Sequence, residues 1–264
     1  MTKDAFFALM LMFLLGVVAC GEREVAEEGA EVLAAAPVAD VCDMELLQAA
    51  FDRLSTVENL ISDTEVVNKV VGDDSSEVVV STVLTVDGVR DRMSSSTIMP
   101  HISGESIQLD MIFIENDVYV RERVDEAWMV PPVSVLGKDM QAELVQSQLL
   151  YLKVMEAVQG ADCRASLTAW STGEEELVGA WLYQFRELEE PELLLDEAEL
   201  KVQNGEAVGA ELDMWLIEFD GGWVPVRGRY AAEIELEGVG LFSLVTDQTL
   251  SDLGETFVIE APIE

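Results

Sequence analysis

Three thiols, one imidazole and fifty-two carboxylates are the groups in this 264-residue chain with chemistry to offer. Zinc and iron–sulfur centres need several soft ligands, and three Cys with one His are too few to build one. His101 follows Pro100 in what reads as a loop between strands. With no second His and no Gly-x-Ser-x-Gly elbow to supply a nucleophile, it reads as a surface histidine rather than a base. The runs Glu174-Glu175-Glu176 and Glu187-Leu188-Glu189-Glu190-Pro191-Glu192 offer oxygens to Ca²⁺. They lack the alternating Asp or Asn and the Gly of a dedicated loop, so they read as solvated faces. No spacing singles out a carboxylate pair for glycoside cleavage. The sequence therefore assigns no catalytic residue, no metal and no cofactor, and the expectation is a protein that is not an enzyme.

The thiols say more through their positions. Ala5 to Ala19 run without a charge, too short for a span of about twenty residues and of the length of an export-signal core. The stretch closes on Val17-Val18-Ala19-Cys20, which resembles the bacterial lipobox, where the Cys is diacylated and becomes the mature N-terminus. Each buried methylene is worth about 0.8 kcal/mol, so two or more chains hold a protein on a membrane where one is marginal. Residues 1–19 are expected to be a signal peptide and Cys20 the lipidated residue. That places the domain on the extracytoplasmic side of a bacterial envelope, on either the plasma or the outer membrane. Export also puts Cys42 and Cys163 where disulfides form. One bridge closing a long loop and two separate buried thiols both fit the sequence, whereas a redox centre would want the two close together.

Charge bounds the partners. Fifteen Lys and Arg against fifty-two Asp and Glu leave −37. Nucleic acid is excluded, because its binding requires clustered basic side chains, and so is attraction to anionic lipid. The membrane is met through acyl chains alone. Half the residues are hydrophobic, so the charge does not signal disorder. Residues 20–41, rich in Ala and acids with no apolar period, read as a tether, and residues 42–264 as the folded domain.

The elements that position these groups are mostly strands. Asp43 precedes Met44 to Leu54, whose apolar residues at 44, 47, 51 and 54 predict a capped helix. Glu77 to Val86 reads as a strand, Asp87-Gly88 as its turn and Val89 to Met93 as the returning strand. Ile107 to Ile114 alternates, and Asn116-Asp117 turns it into Val118 to Arg121. Gly137 to Gly160 carries Met140, Leu144, Tyr151 and Met155 at helical spacings and predicts a helix with a wide apolar stripe. Strands resume at Arg164 to Trp170 and Leu177 to Leu188, with Trp181, Tyr183 and Phe185 on one face, and Pro191 to Gln203 reads as a short helix. Val208 to Leu216 and Tyr230 to Leu236 alternate around Gly221-Gly222, and Val239 to Thr246 continues the pattern. The strand at Trp215, Ile217 and Phe219 is apolar on both faces, which predicts cover on both. Without βαβ units a parallel sheet and its nucleotide sites are not expected.

The lipobox, the N-terminal helix, Tyr119-Val120-Arg121 followed by Trp128, the mid-chain helix and the close Leu250-Ser251-Asp252-Leu253-Gly254 with Phe257-Val258-Ile259-Glu260-Ala261-Pro262 together resemble the LolA-like lipoprotein superfamily. This group takes in the LolA and LolB carriers and mycobacterial lipoproteins of the LprG and LppX type. The resemblance spans roughly residues 44 to 264 and lies in the order of weak motifs. It implies an α+β fold, a curved antiparallel half-barrel sheet with helices packed on its concave face, and a cavity for lipid or acyl chains, with a part in lipid or lipoprotein trafficking. It transfers no catalytic or lipid-contacting residue.

Two functions follow as expectations. In the first, the apolar face encloses an acyl chain, with Leu144, Tyr151 and Met155 on the helix and Met111, Phe113 and Met214 on the strands as candidate lining. A sixteen-carbon chain forfeits about 12 kcal/mol on leaving a membrane, so enclosure must be nearly complete. In the second, the core is filled and the sheet is a structural or protein-interaction scaffold. A connected void above about 300 Å³ separates them.

Overall fold

The computed structural model describes residues 42–73, 76–100, 106–114, 117–123, 125–130, 154–171, 177–190, 194, 205–236, 238 and 240–262. Helix α1 (Met44–Leu54) starts where Asp43, in extended conformation, accepts a hydrogen bond from the Leu46 N–H at 2.9 Å, and it buries Leu47, Ala50 and Leu54 along one side. Its last turn ends at Ser55, whose hydroxyl donates back to the Asp52 carbonyl.

Among the described residues ten strands follow: β1 (Asn59–Val70), β2 (Val78–Asp87), β3 (Arg92–Pro100), β4 (Ser106–Ile114), β5 (Asp117–Arg121), β6 (Asp162–Ser171), β7 (Leu177–Arg186), β8 (Gly205–Phe219), β9 (Gly222–Leu236) and β10 (Gly240–Ser251). A one-turn helix, α2 (Val154–Ala157), precedes β6. All ten strands join one open antiparallel sheet in the order β5-β4-β3-β2-β1-β10-β9-β8-β7-β6. It consists of two five-strand meanders, β1–β5 and β6–β10, sewn together where the first strand of one pairs with the last strand of the other. Among the described residues helix is scarce and the fold is dominantly antiparallel sheet.

Side chains of directly opposed residues share a face, and the register therefore carries one face across the whole sheet. Tyr183 opposes Met214, Met214 opposes Gly228, Gly228 opposes Gln248, Gln248 opposes Thr64 and Thr64 opposes Thr82. On the β6–β10 half this face meets α1 and α2, where Leu47, Ala50, Val154 and Val158 pack with Tyr183, Phe185, Leu212, Met214 and Tyr230 into the main core. On the β1–β5 half it carries a smaller cluster of Leu84, Met93, Met111 and Phe113. A third cluster of Leu54, Leu60 and Leu250 joins the end of α1 to the seam between the meanders.

Several sequence expectations change here. Strand β1, at the centre of the sheet, has no counterpart among the predicted elements. The returning strand after Asp87 does not start at Val89: Gly88–Arg90 form a 3-10 turn capped by the buried Asp87 carboxylate, which accepts from the Arg90 N–H, and β3 runs on through three serines to Pro100. A Cβ at Gly88 would lie 2.6 Å from the Glu58 carbonyl oxygen, so only glycine fits that turn. From Gly240 on, the Val239 to Thr246 stretch belongs to a separate strand, β10, with Gly238 at positive φ before it and Gly240 at positive φ as its first residue. The outer face of β8 is only partly covered. Trp215 is half-buried there, shielded by the Arg227 guanidinium 4.8 Å from its ring and by Trp170 at 6.4 Å. Of the predicted helix Gly137–Gly160 only residues 154–160 are described. The predicted helix Pro191–Gln203 lies outside the described residues apart from Leu194.

Candidate functional site

The face shared by both meanders is the surface on which apolar and polar groups are arranged in a way that chemistry can use. Met111 and Phe113 of β4 and Met214 of β8 all lie on it, but in two patches with five strands between them. At about 4.8 Å per step, the six steps from β4 to β8 make a separation on the order of 29 Å. Met155, on α2, is half-buried and packs against the same core as Met214. Leu144 and Tyr151 lie outside the described residues.

Around Met214 the face is filled. A pocket lined by Val154, Leu212, Met214, Gly228, Gln248 and Leu250 measures about 10 Å³, room for one water and far short of an acyl chain. Pro225 also borders it, at a β-bulge where β8 and β9 slip between Trp215 and Leu216, a place where a residue without an N–H is tolerated.

Between the patches runs a seam of hydroxyls and amides. The buried Gln248 side chain donates from Nε2 to Ser62 Oγ at 2.9 Å and to Thr64 Oγ1 at 3.2 Å, and Thr82 and Thr97 hydroxyls meet at 3.1 Å. Ser95 continues the seam into the second patch, opposite Leu84 on one side and Met111 on the other. Its Oγ is fully enclosed and has no hydrogen-bond partner. A buried hydroxyl left unpaired costs about 1–3 kcal/mol, so a position like this one invites a functional explanation.

On the opposite face, ion pairs occupy the ladder positions. Arg121 Nε donates to Asp110 at 2.8 Å, and its guanidinium lies 4.6 Å from the Trp128 ring. Burial pushes the Asp110 carboxyl up, but hydrogen bonds from Ser96, Gln108 and Arg121, with the Arg121 charge, hold it below its ordinary value. Arg227 donates from Nε to Asp247 at 2.8 Å, and that bond, opposed by burial, keeps its pKa raised. Arg186 bridges Glu211 at 3.2 Å and Asp213 at 2.7 Å. These pairs place opposite charges on neighbouring strands, which sets register more than it adds stability.

Cys42 and Cys163 form a disulfide with Cα atoms 5.8 Å apart, fastening the start of α1 to the edge strand β6. Within the same corner, Tyr183 is pushed up to about 12, by burial first and by the Asp43 carboxylate second, and its hydroxyl donates to the Asp43 carbonyl at 3.3 Å. Cys20, His101 and Glu174 to Glu176 lie outside the described residues, and Glu187, Glu189 and Glu190 are exposed. Among the described residues no group of three His, Cys, Asp or Glu side chains converges on a metal position, and no helix is long and apolar enough to cross a membrane. Sequence reasoning missed Ser95 and Gln248. Both are polar residues just past the ends of the predicted strands at Met93 and Thr246, and only the register shows that they point inward.

Among the described residues, fold and site together define an open, ten-stranded antiparallel sheet with two apolar patches on one face, the larger packed against α1, divided by a polar seam. No protein-family model matches the chain, and no curated protein matches it. Among solved structures it is similar to the crystal structure of a conserved protein of unknown function with a hot dog fold from Alicyclobacillus acidocaldarius. The identity is 11%, over 83% of this chain and 86% of that one, with a TM-score of 0.12, a likeness that carries no argument.

Proposed function

We propose that the chain is a lipid-anchored envelope protein of the LolA-like type, held by Cys20 on the extracytoplasmic side of a membrane, whose β1–β5 half holds an acyl chain. In this reading the sheet is curved into a half-barrel with helices on its concave face, and residues 20–41 span the gap to the membrane. It assigns no catalytic residue and no cofactor. The observation that carries it is the patch of Leu84, Met93, Met111 and Phe113 with the unpaired Ser95 hydroxyl at its centre. Thioethers adapt to a flexible chain, and a buried O–H without a partner is suited to the ester or carboxyl carbonyl that every acyl ligand carries. The other half supports a second reading, a scaffold with a filled core, because the pocket at Met214 takes no more than a water.

Native mass spectrometry of the mature domain, with fluorescent fatty-acid uptake after delipidation, tests the reading. Bound lipid or saturable uptake is expected, and a well-folded sample with neither leaves the scaffold. The anchor is tested separately: Cys20→Ser should release the protein into the soluble fraction or leave it uncleaved. Persistence of the substituted protein in carbonate-washed membranes would remove the lipidation from the account.

A further inference from the structure

After β10 the chain turns at Asp252 and Gly254, both at positive φ, and residues 255–262 run on without a place in any strand ladder among the described residues. They are nonetheless held at regular intervals. The carbonyl of Glu255 accepts from Asn59 Nδ2 at 2.7 Å, that of Phe257 from Arg90 Nη1 at 2.7 Å, and that of Ile259 from Arg92 Nη1 at 2.6 Å. Alternate carbonyls of an extended chain point the same way, about 6.6 Å apart at 3.3 Å per residue. Three side-chain donors spaced along β1, the 3-10 turn and β3 therefore read one edge of this segment.

The side chains alternate with the same period. Phe257 is half-buried, Val258 is 78% exposed and Ile259 is 6% exposed. Arg90 Nη1 also donates to the buried Asp87 carboxylate at 2.9 Å, which fixes that donor, and the backbone carbonyl of Asn59 accepts from the Gly254 N–H at 2.8 Å, which fixes the start of the segment. Carbonyl contacts that ignore sequence, combined with buried positions for every second side chain, are how extended peptides are bound by other proteins.

We propose that Asn59, Arg90 and Arg92 form a docking groove for an extended peptide with bulky apolar side chains two residues apart, filled here in cis by Glu255–Ile259 and able to accept such a segment from a second protein. Two arginines in a chain of net charge −37 make this groove a local complement to the partial negative charge of peptide carbonyls. The resident segment is held by side chains rather than by a ladder, so displacing it breaks no strand pairing. The inference is independent of the acyl-chain reading.

A protease site inserted between Gly254 and Glu255 of the full mature chain tests it. After cleavage of the folded protein, a fluorescent peptide with the sequence of residues 255–262 should be captured saturably. The uncleaved chain should capture it at least tenfold more weakly, because its own segment competes at the millimolar effective concentration of a short tether. Capture should fall tenfold or more for R90Q/R92Q, and for peptides carrying Lys in place of Phe257 and Ile259, but not in place of Val258. Cleaved, folded protein that takes up no peptide, or takes up the doubly Lys-substituted peptide equally well, overturns the proposal. Should cleavage unfold the chain, the uncleaved F257A/I259A variant, whose own segment is weakened, gives the same answer: capture in trans supports the groove, and its absence overturns it.

Discussion

The two meanders share one sheet and one inward face, yet they fill that face by different means. In β6–β10 the positions over the core are Tyr183, Phe185, Leu212, Met214 and Tyr230, capped by α1 and fastened by the Cys42–Cys163 bridge. In β1–β5 the corresponding positions include Ser62, Thr64, Thr82, Ser95 and Thr97 around a cluster of four buried apolar side chains. Large aromatics matched to a covering helix give a close-packed interior. Hydroxyls and thioethers give a surface that can be repacked at low cost. Helix α1 precedes β1 in sequence but packs on β9, so the chain spends its one long described helix on the half farthest from it along the polypeptide.

The largest expected effect tests whether the disulfide belongs to one half. A bridge between residues 121 apart contributes about 4–5 kcal/mol in the chain-entropy model. C42A/C163A, compared with the wild type by urea denaturation, should lose most of that. Amide exchange should then rise more in β7–β9 than in β2–β4. Equal loss of protection in both halves would break the distinction, and two free thiols in the unreduced, unfolded protein would remove the bridge.

Next comes the difference between two phenylalanines of equal burial. Phe185→Ala should cost about 3–5 kcal/mol, because its neighbours are rigid rings and branched side chains under a helix. Phe113→Ala should cost at least about 1 kcal/mol less, since Met93 and Met111 can collapse into the space. If Phe113→Ala proves the costlier, measured in the same denaturation series, the β1–β5 face is not the adaptable one.

The same contrast explains which parts of the fold could be read from the chain. Helix α1 was legible because Asp43 and the spacing of Met44, Leu47, Phe51 and Leu54 make one helical period, of which Leu47 and Leu54 are buried, together with Ala50. Strands β7, β8 and β9 were legible because apolar residues recur at every second position on the inward face, even where outward residues such as Leu182 and Trp215 are apolar too. Strand β1 was invisible: its inward positions mix Ser62, Thr64 and Asn68 with Leu60 and Val66, so no apolar alternation marks a strand that is central to the sheet. The serines of β3 hid its length for the same reason. Ser95 and the carbonyl-binding series Asn59, Arg90 and Arg92 carry no local signature at all, because register and a turn bring them to their positions. Polar inward residues defeat periodicity, and in this molecule they are concentrated in one half.

A pH titration sharpens the comparison at the α1 corner. Below pH 10 Tyr183 keeps its proton in both the folded and the unfolded chain. Above it the unfolded tyrosine ionises first, while the folded one, pushed up to about 12 by burial and by Asp43, does not. Stability should therefore fall from pH 10 and level off past about pH 12, by about 2–3 kcal/mol, and Tyr183→Phe should flatten that slope. A Tyr183→Phe protein with the full alkaline loss would assign it to other groups.

The smallest effect on stability is expected at Ser95, and it is the most informative about function. Its hydroxyl is enclosed between Leu84 and Met111 with no partner, so Ser95→Ala removes an unsatisfied group and not a bond. The melting temperature of the delipidated domain should stay the same or rise, equivalent to about 0–1 kcal/mol, whereas removing a bonded buried hydroxyl costs about that much. If the hydroxyl serves an acyl carbonyl, the same substitution should weaken uptake of a fluorescent fatty acid while leaving the fold intact. Stability then argues for alanine and binding for serine. A clear loss of stability in the ligand-free protein would show that the hydroxyl is already satisfied within the fold. Unchanged stability with unchanged uptake would place the acyl chain, if one is bound, away from the β1–β5 face.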